Sequence, residues 1–315
     1  MAESSKLVVA TDLPLPANVE LLLTEHVSLV PLDGPANESV SGIFTYGHPI
    51  VDTQTLDRFP NTRVVSNHGV GVDHIDVQAC RAKGIPVGNT PGVLDGATAD
   101  LAFGLLMATA RNIVQSANFA RLESTTKFDQ SMFHGREIHD STLGIIGLGR
   151  IGQQIARRAS GFDMKILYHN RKRNSEAEDR LNATYLGLPE LLQQSDFVVV
   201  STPLTNATVD LISREQLMLM QSDAVLINIA RGPIVNTNDL VAVLQEGHLF
   251  AVGLDVTDPE PLPRHHPLLN MDNVIVTSHI GSASQKTRQK MVDLAITNLL
   301  LGLQDKPLQH DAAAD

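Results

Sequence analysis

The sequence has few of the features that place a protein outside the reducing interior of a cell. It contains one cysteine, Cys80, so an internal disulfide is excluded and a reducing compartment is expected. No apolar run reaches the roughly eighteen residues that a membrane span requires. The polar start, residues 1–5, lacks a signal-peptide pattern. We therefore predict a cytoplasmic protein.

Basic residues are also scarce. The chain has 24 Lys and Arg residues against 35 Asp and Glu residues, which gives a formal net charge of -11. This balance argues against a broad surface for nucleic acid or for an anionic membrane. A phosphate site, if there is one, has to be a local exception. A length of 315 residues allows a large core and suggests two domains.

Short apolar segments alternate with amphipathic helical stretches along the whole chain, which is typical of βαβ units around a parallel sheet. We predict an α/β protein with a doubly wound (Rossmann) nucleotide domain over 99–283. Residues 1–98 and 284–315, from both chain ends, are predicted to form a smaller flavodoxin-like α/β substrate domain. One long helix is expected from Thr98 to Phe119, and residues 311–315 are expected to fray.

A glycine-rich loop begins the second half of the pattern. Its sequence, G-L-G-R-I-G over 147–152, follows a predicted strand and opens a predicted helix. A bare match to G-x-G-x-x-G is weak, but this context is that of a dinucleotide-binding turn, where glycines let the backbone approach a pyrophosphate at a helix amino terminus. The predicted cofactor contacts in this loop are Gly147, Gly149, Arg150, Ile151 and Gly152.

The end of the next predicted strand indicates which dinucleotide is bound. NAD sites usually have Asp or Glu there, whereas this chain has Asn170, Arg171, Lys172 and Arg173, with no carboxylate before Glu176. Arginine can bind a 2′-phosphate through paired, charge-assisted hydrogen bonds. We predict NADP(H) as the preferred cofactor, with NAD(H) possible. The alternative is a solvated basic turn.

Three ionisable side chains follow three apolar segments that are predicted to be buried strands. They are Arg231, Glu260 and His279, and the carboxyl ends of parallel strands are where open α/β sheets bind ligands. Arg231 suits the two-point binding of a carboxylate, and His279 suits proton transfer to a developing alkoxide. Glu260 is expected to orient His279 and to favour its protonated form. Taken singly, each is more often a surface residue; their joint placement points to chemistry.

Two other features have weaker interpretations. Residues 68–71, His-Gly-Val-Gly, follow a predicted strand and offer backbone N–H groups to an anion, or else form a structural turn. His265 and His266 lie in a proline-rich loop without the spacing of metal ligands. No metal site is predicted.

The chain resembles the D-isomer-specific 2-hydroxyacid dehydrogenase family over nearly its whole length. The resemblance begins at Asn67–Asp76 (NHGVGVDHID) and is most specific over Gly253–Pro263 (GLDVTDPEPLP) and His279–Ala283 (HIGSA). Within the family, the chain is most similar to glyoxylate/hydroxypyruvate reductases.

The resemblance implies roles for particular residues. Arg231 would bind substrate and take part in catalysis, His279 would transfer the proton, and Glu260 would support it. Substrate contacts are implied at the backbone of Val70 and Gly71, and at Ser282. Further cofactor contacts are implied at Thr202, Pro203, Ile229, Ala230, Asp255 and Gly281. A homodimer held by the nucleotide domains is also implied.

One departure from the family concerns the substrate pocket. Many relatives have a tryptophan between the long helix and the glycine loop, whereas this chain has no tryptophan and offers Phe128 and Phe133 there. The prediction is NADPH-dependent reduction of a small 2-oxo acid, of the glyoxylate or hydroxypyruvate type, to the D-2-hydroxy acid. The alternatives are a broader 2-oxo acid or 2-ketogluconate reductase, and a dinucleotide-sensing corepressor or scaffold.

Overall fold

Parallel strands alternating with helices form two separate sheets in the computed structural model, which describes residues 6–12, 14–127 and 129–312. The chain divides into a smaller unit, Met1–Leu94 with Ser284–Asp315, and a larger unit, Asp95–Ala283. The first boundary follows Leu94, whereas the sequence suggested residue 98, because a helix already begins at Asp95.

The elements have the following bounds. The strands are β1 (Val8–Thr11), β2 (Ser28–Pro31), β3 (Val40–Thr45), β4 (Val65–Asn67), β5 (Val87–Gly88), β6 (Thr142–Ile146), β7 (Lys165–His169), β8 (Ala183–Tyr185), β9 (Phe197–Val200), β10 (Val225–Asn228), β11 (Ala251–Leu254) and β12 (Val274–Val276). The α-helices are α1 (Ala17–Thr24), α2 (Thr53–Arg58), α3 (Val77–Ala82), α4 (Asp95–Ala110), α5 (Ile113–Phe119), α6 (Arg150–Ala159), α7 (Ser175–Leu181), α8 (Leu188–Gln194), α9 (Arg214–Leu219), α10 (Thr237–Gln245) and α11 (Gln285–Leu303).

The larger unit has a doubly wound sheet in the order β12-β11-β10-β9-β6-β7-β8, with every pair parallel. Alternate residues of its central strands enter different cores: Ile145 packs on the side of α4 and α6, and Ile146 on the opposite side. Strands buried on both faces explain the continuous apolar runs of the sequence. The chain reverses its winding between β6 and β9, which is where such sheets bind ligands. The predicted Rossmann fold is confirmed.

The prediction of one helix from Thr98 to Phe119 was wrong. Helix α4 ends at Ala110 and α5 begins at Ile113, because Asn112 between them has a left-handed backbone, with φ 51. Helix α4 packs against α6 and over β10 and β11, and no residue of α5 is buried. The apolar surface of α4 is therefore core, whereas Ile113 at the start of α5 is 51% exposed.

The smaller unit has a five-stranded parallel sheet in the order β2-β1-β3-β4-β5, which is the flavodoxin-like order. Helix α11, from the far end of the sequence, packs on β3 and β4. Its Leu299 and Leu303 lie against Gly42 of β3 so closely that a side chain there would displace them. The sheet and this helix explain why both chain ends belong to one unit.

The expected fraying of residues 311–315 was wrong for the two of them that the structure describes. A carboxylate oxygen of Asp311 accepts a hydrogen bond from the Val87 N–H at 3.0 Å, and the Ala312 N–H donates to the Val87 carbonyl at 2.8 Å. Strand β5 lies at the sheet edge, where unpaired backbone groups require partners. Residues 313–315 lie outside the described residues. Among the described helices, none has both the length and the apolar character of a membrane span.

Candidate active site

Three loops that carry ionisable residues leave the larger sheet side by side. Strands β10, β11 and β12 are adjacent and parallel, with Asn228 opposite Leu254 and Leu254 opposite Val276. Their carboxyl ends are therefore level. Arg231, Glu260 and His279 follow these three ends in turn.

The His279 side chain is held by Glu260. The Nδ1 atom of His279 lies 2.6 Å from Oε1 of Glu260, and Oε2 of Glu260 accepts a hydrogen bond from the Thr257 N–H at 3.2 Å. A carboxylate only accepts hydrogen bonds, so Nδ1 carries a proton and Nε2 is the ring atom that can exchange one. The two side chains are 31% and 39% exposed, which leaves them within reach of a ligand.

The backbone at His279 has a left-handed conformation, with φ 53, which an L-residue rarely adopts. Asp255, only 2% exposed, holds this loop in place. One of its carboxylate oxygens accepts from the Ile280 N–H at 2.8 Å and from the Thr277 hydroxyl at 2.7 Å, and the other accepts from the Gly281 N–H at 2.8 Å. The sequence predicted cofactor contacts for Asp255 and Gly281; the structure gives both a part in orienting His279.

Arg231 lies in a loop that is shaped by the buried Asn228. The Asn228 side chain accepts from the Ala230 N–H at 3.0 Å and donates to the Arg231 carbonyl at 2.9 Å. The next residue, Gly232, passes so close to the loop of Glu260 that a Cβ there would lie 2.0 Å from the Thr257 carbonyl oxygen. The arginine loop and the glutamate loop therefore contact each other. The role of Asn228 was not predicted from the sequence.

The glycine loop has the geometry of a dinucleotide cradle. Gly147 has φ 103, and a Cβ on it would lie 2.7 Å from the Thr202 nitrogen. A Cβ on Gly152, in the first turn of α6, would lie 2.1 Å from the Gly147 carbonyl oxygen. A Cβ on Gly149, by contrast, would meet nothing within 4 Å, so there is open space at the amino terminus of α6. These residues fit a bound pyrophosphate.

The basic residues of the turn after β7 differ in whether they have an acidic partner. Arg173 makes a bidentate ion pair with Glu178 of α7, with contacts of 2.6 to 3.0 Å. Arg171 and Lys172 are exposed, and neither side chain has a hydrogen bond or ion pair with another described residue. Asn170 accepts a hydrogen bond from the Leu148 N–H at 2.7 Å and so ties this turn to the glycine loop.

The other predicted cofactor residues lie at the same edge of the larger sheet. Arg150 and Ile151 open α6, Thr202 and Pro203 follow β9, and Ile229 and Ala230 follow β10. Ser282, predicted to contact substrate, is half-buried and follows Gly281.

The predicted anion loop of the smaller unit follows β4. The carbonyls of Val70 and Gly71 accept hydrogen bonds from Asn89 at 3.0 Å and Asn67 at 2.9 Å, whereas their N–H groups have no acceptor among the described residues. The two asparagine side chains thus hold this backbone in place and leave its N–H groups available to a ligand. The adjacent His68 is 5% exposed and stacks on Tyr46, with ring centroids 4.5 Å apart.

Phe133 lies on the segment where many relatives have tryptophan. Its backbone is left-handed, with φ 58, and its ring lies 5.4 Å from that of Phe119. Phe128 lies outside the described residues. Within the described part of the chain, no group of His, Cys, Asp and Glu side chains has the arrangement of a metal site.

Comparison with known proteins identifies the class. Residues 103–281, inside the larger unit, match the family model described as "D-isomer specific 2-hydroxyacid dehydrogenase, NAD binding domain". The chain therefore belongs to this family of NAD(P)-dependent dehydrogenases, which confirms the family and the enzyme class predicted from the sequence.

Relatives and solved structures agree with this assignment. A glyoxylate reductase from Pyrococcus horikoshii is 46% identical over 267 residues, which cover 84% of this chain and 80% of that protein. Glyoxylate/hydroxypyruvate reductase B from Salmonella paratyphi A is 44% identical, over 81% of this chain and 79% of that protein. The crystal structure of an NADPH-dependent glyoxylate/hydroxypyruvate reductase from Sinorhizobium meliloti, in complex with NADP and malonate, superposes with a TM-score of 0.89 at 32% identity, covering 98% of this chain and 97% of that one.

Proposed function

We propose that this protein uses NADPH to reduce a small 2-oxo acid, of the glyoxylate or hydroxypyruvate type, to the D-2-hydroxy acid. The observation that carries the proposal is the contact of 2.6 Å between His279 and Glu260 beside the Arg231 loop. The names of the relatives support the substrate class. The reduced nicotinamide, when bound, supplies the hydride.

The residues of the larger unit have complementary parts in this reaction. Arg231 binds the carboxylate of the 2-oxo acid and polarises the carbonyl that it reduces, because a guanidinium keeps its charge and donates in two directions. His279 gives the proton on Nε2 to the alkoxide oxygen as it forms. Glu260 accepts from Nδ1 and stabilises the positive charge of the imidazolium that donates. Val70 and Gly71 remain predicted backbone contacts for a carboxylate.

The preference for NADPH rests on the turn after β7. No carboxylate there can accept from a ribose 2′-hydroxyl, and Arg171 and Lys172 are exposed without partners among the described residues. Two cations in this position attract a 2′-phosphate. The related reductase from Sinorhizobium meliloti, crystallised with NADP, supports this choice.

We also propose that the protein is a homodimer formed through the larger unit, as the family resemblance implied. Apolar side chains are exposed along residues 113–132, with Ile113 at 51%, Leu122 at 54% and Met132 at 38%. Light scattering after size exclusion should give the mass of a dimer, and an Ile113→Glu variant should shift the protein towards the monomer.

Activity is best tested by following NADPH oxidation with a panel of 2-oxo acids that includes glyoxylate, hydroxypyruvate, pyruvate and 2-ketogluconate. Glyoxylate or hydroxypyruvate should have the highest kcat/KM, and the product of the chiral reaction should be the D-isomer. The Arg231→Lys variant should raise KM for the acid and lower kcat, because an ammonium cannot form the bidentate contact. Turnover with none of the acids, with cofactor binding intact, would instead favour a dinucleotide sensor.

A further inference from the structure

A network of side-chain hydrogen bonds connects the basic turn after β7 to the strand before it and the helix after it. The buried Tyr168, near the end of β7, donates its hydroxyl proton to Oε1 of Glu178 at 2.5 Å and accepts from the Asn174 N–H at 2.9 Å. Glu178 in turn binds Arg173 through both of its oxygens, at 2.6 to 3.0 Å. One carboxylate therefore joins the strand, the turn and α7.

This carboxylate stays ionised at every working pH. The hydrogen bonds from Arg173 and then from Tyr168 lower the pKa of Glu178 to about 2. The Glu178 side chain is 10% exposed and that of Arg173 is 66% exposed. The ionised carboxylate of Glu178 therefore compensates the positive charge of Arg173. Within the part of the chain that the structure describes, no such carboxylate compensates the charges of Arg171 and Lys172.

We propose that Glu178 sets the strength of cofactor discrimination by withholding Arg173 from the adenosine 2′-phosphate, so that Arg171 and Lys172 are the residues that bind it. Glu178 is on this view a positioning residue for the phosphate subsite, and the inference rests on the NADPH preference proposed above. The sequence alone did not distinguish Arg171 from Arg173, because it did not show that Glu178, one turn into α7, pairs with the second.

The geometry of the ion pair and the charge of Glu178 both weaken the binding of a 2′-phosphate by Arg173. The edge of the guanidinium formed by Nε and Nη2 is the one best suited to two phosphate oxygens, and Glu178 occupies it. The Glu178 carboxylate also adds a negative charge close to the subsite, which opposes a phosphate that carries nearly two negative charges. Replacing Glu178 by glutamine removes that charge, keeps the shape and leaves hydrogen-bonding partners for Tyr168.

The test is isothermal titration calorimetry with two fragments of the cofactor, adenosine 2′,5′-bisphosphate and adenosine 5′-monophosphate. Glu178→Gln should tighten the bisphosphate by about 3- to 10-fold and leave the monophosphate unchanged. The double variant Glu178→Gln with Arg173→Ala should lose most of this gain, because Arg173 supplies the new contact and only the removal of the Glu178 charge remains. The salt dependence of bisphosphate binding should become steeper in Glu178→Gln, which a purely structural change would not produce.

Two single variants complete the design and keep it decisive if Glu178→Gln folds poorly. Arg171→Ala should weaken bisphosphate binding by about 10-fold, and Arg173→Ala by no more than about 2-fold. Equal losses in the two variants, or bisphosphate binding to Glu178→Gln that is unchanged or weaker, would overturn the inference while leaving the NADPH preference standing. A wild-type protein that binds the two fragments equally, with no effect of Arg171→Ala, would overturn both.

Discussion

The backbone carbonyl of Asp255 accepts a hydrogen bond from the N–H of His279 at 2.9 Å, and the Asp255 carboxylate accepts from the two N–H groups that follow. Asp255→Asn keeps the size of this side chain but replaces one acceptor with a donor. A buried N–H then loses its partner, which costs about 1–3 kcal/mol. We expect a lower Tm and a decrease in kcat of about 10- to 100-fold, because the imidazole is misplaced. Asp272→Asn, the same substitution at an exposed aspartate, is the control. Equal kinetics in the two variants would contradict the role of Asp255.

The pair formed by His279 and Glu260 should give graded losses. His279→Ala removes the proposed proton donor and should lower kcat by about 10²- to 10⁴-fold. Glu260→Gln keeps an acceptor for Nδ1 but not the compensating charge, so its loss should be smaller. Steady-state kinetics give kcat, and fluorescence titration should show that the cofactor Kd is little changed in both variants. Near-wild-type turnover in His279→Ala would remove this residue from the mechanism.

The glycine loop allows a matched pair of alanine substitutions. Gly152→Ala places a Cβ 2.1 Å from the Gly147 carbonyl oxygen, so it should lower Tm or prevent folding. Gly149→Ala meets no atom within 4 Å, and its extended backbone, with φ -79, accepts alanine. This variant should keep the wild-type Tm and lose cofactor affinity, because the new methyl group occupies the space proposed for the pyrophosphate. Undiminished affinity in Gly149→Ala would place the dinucleotide elsewhere.

His68 should make the stability of the protein depend on pH. Burial, and then the charge of Arg288, lower the pKa of His68 from 6.5 to about 4. The unfolded chain therefore binds a proton at a pH where the folded chain does not, so stability is complete above about pH 6.5 and falls as the pH drops towards 4. The linkage amounts to about 2 kcal/mol between about pH 7.5 and pH 5.

Urea unfolding at the two pH values measures this effect. His68→Phe, which keeps a ring against Tyr46, should lose about 2 kcal/mol less than the wild type on acidification. His26→Gln, a change at an exposed histidine, is the control and should follow the wild type. A wild-type pH dependence in His68→Phe would show that this ring is not the group that titrates.

Local patterns in the sequence predicted the central strands well. A strand before the glycine loop and another before the basic turn were both predicted, and β6 and β7 lie there, because an apolar run between a polar turn and a glycine-rich or basic turn leaves little freedom for a buried strand. The break between α4 and α5 was missed because neither glycine nor proline marks it. The left-handed conformation of Asn112 is a local choice that helical periodicity does not reveal.

The residues of the candidate site were predictable, but most of their supports were not. Arg231, Glu260 and His279 could be found because each follows an apolar run that ends at the same sheet edge. Asn228 and Asp255 act through hydrogen bonds between their buried side chains and the backbone of folded loops. The spacing of residues along the sequence does not reveal such contacts. The pairing of Arg173 with Glu178 was hidden for the same reason, since a charged run shows its sign but not its partners.

The left-handed backbone of His279 allows its proposed role in activity to be separated from its effect on stability. Glycine tolerates φ 53 at no steric cost, whereas histidine pays about 1–2 kcal/mol there. His279→Gly should therefore raise Tm relative to His279→Ala while remaining equally inactive, which thermal unfolding of the two variants would show. A lineage released from the need for turnover would drift towards glycine or asparagine at this position. The proposed catalytic role of this histidine is thus set against the stability of its own loop.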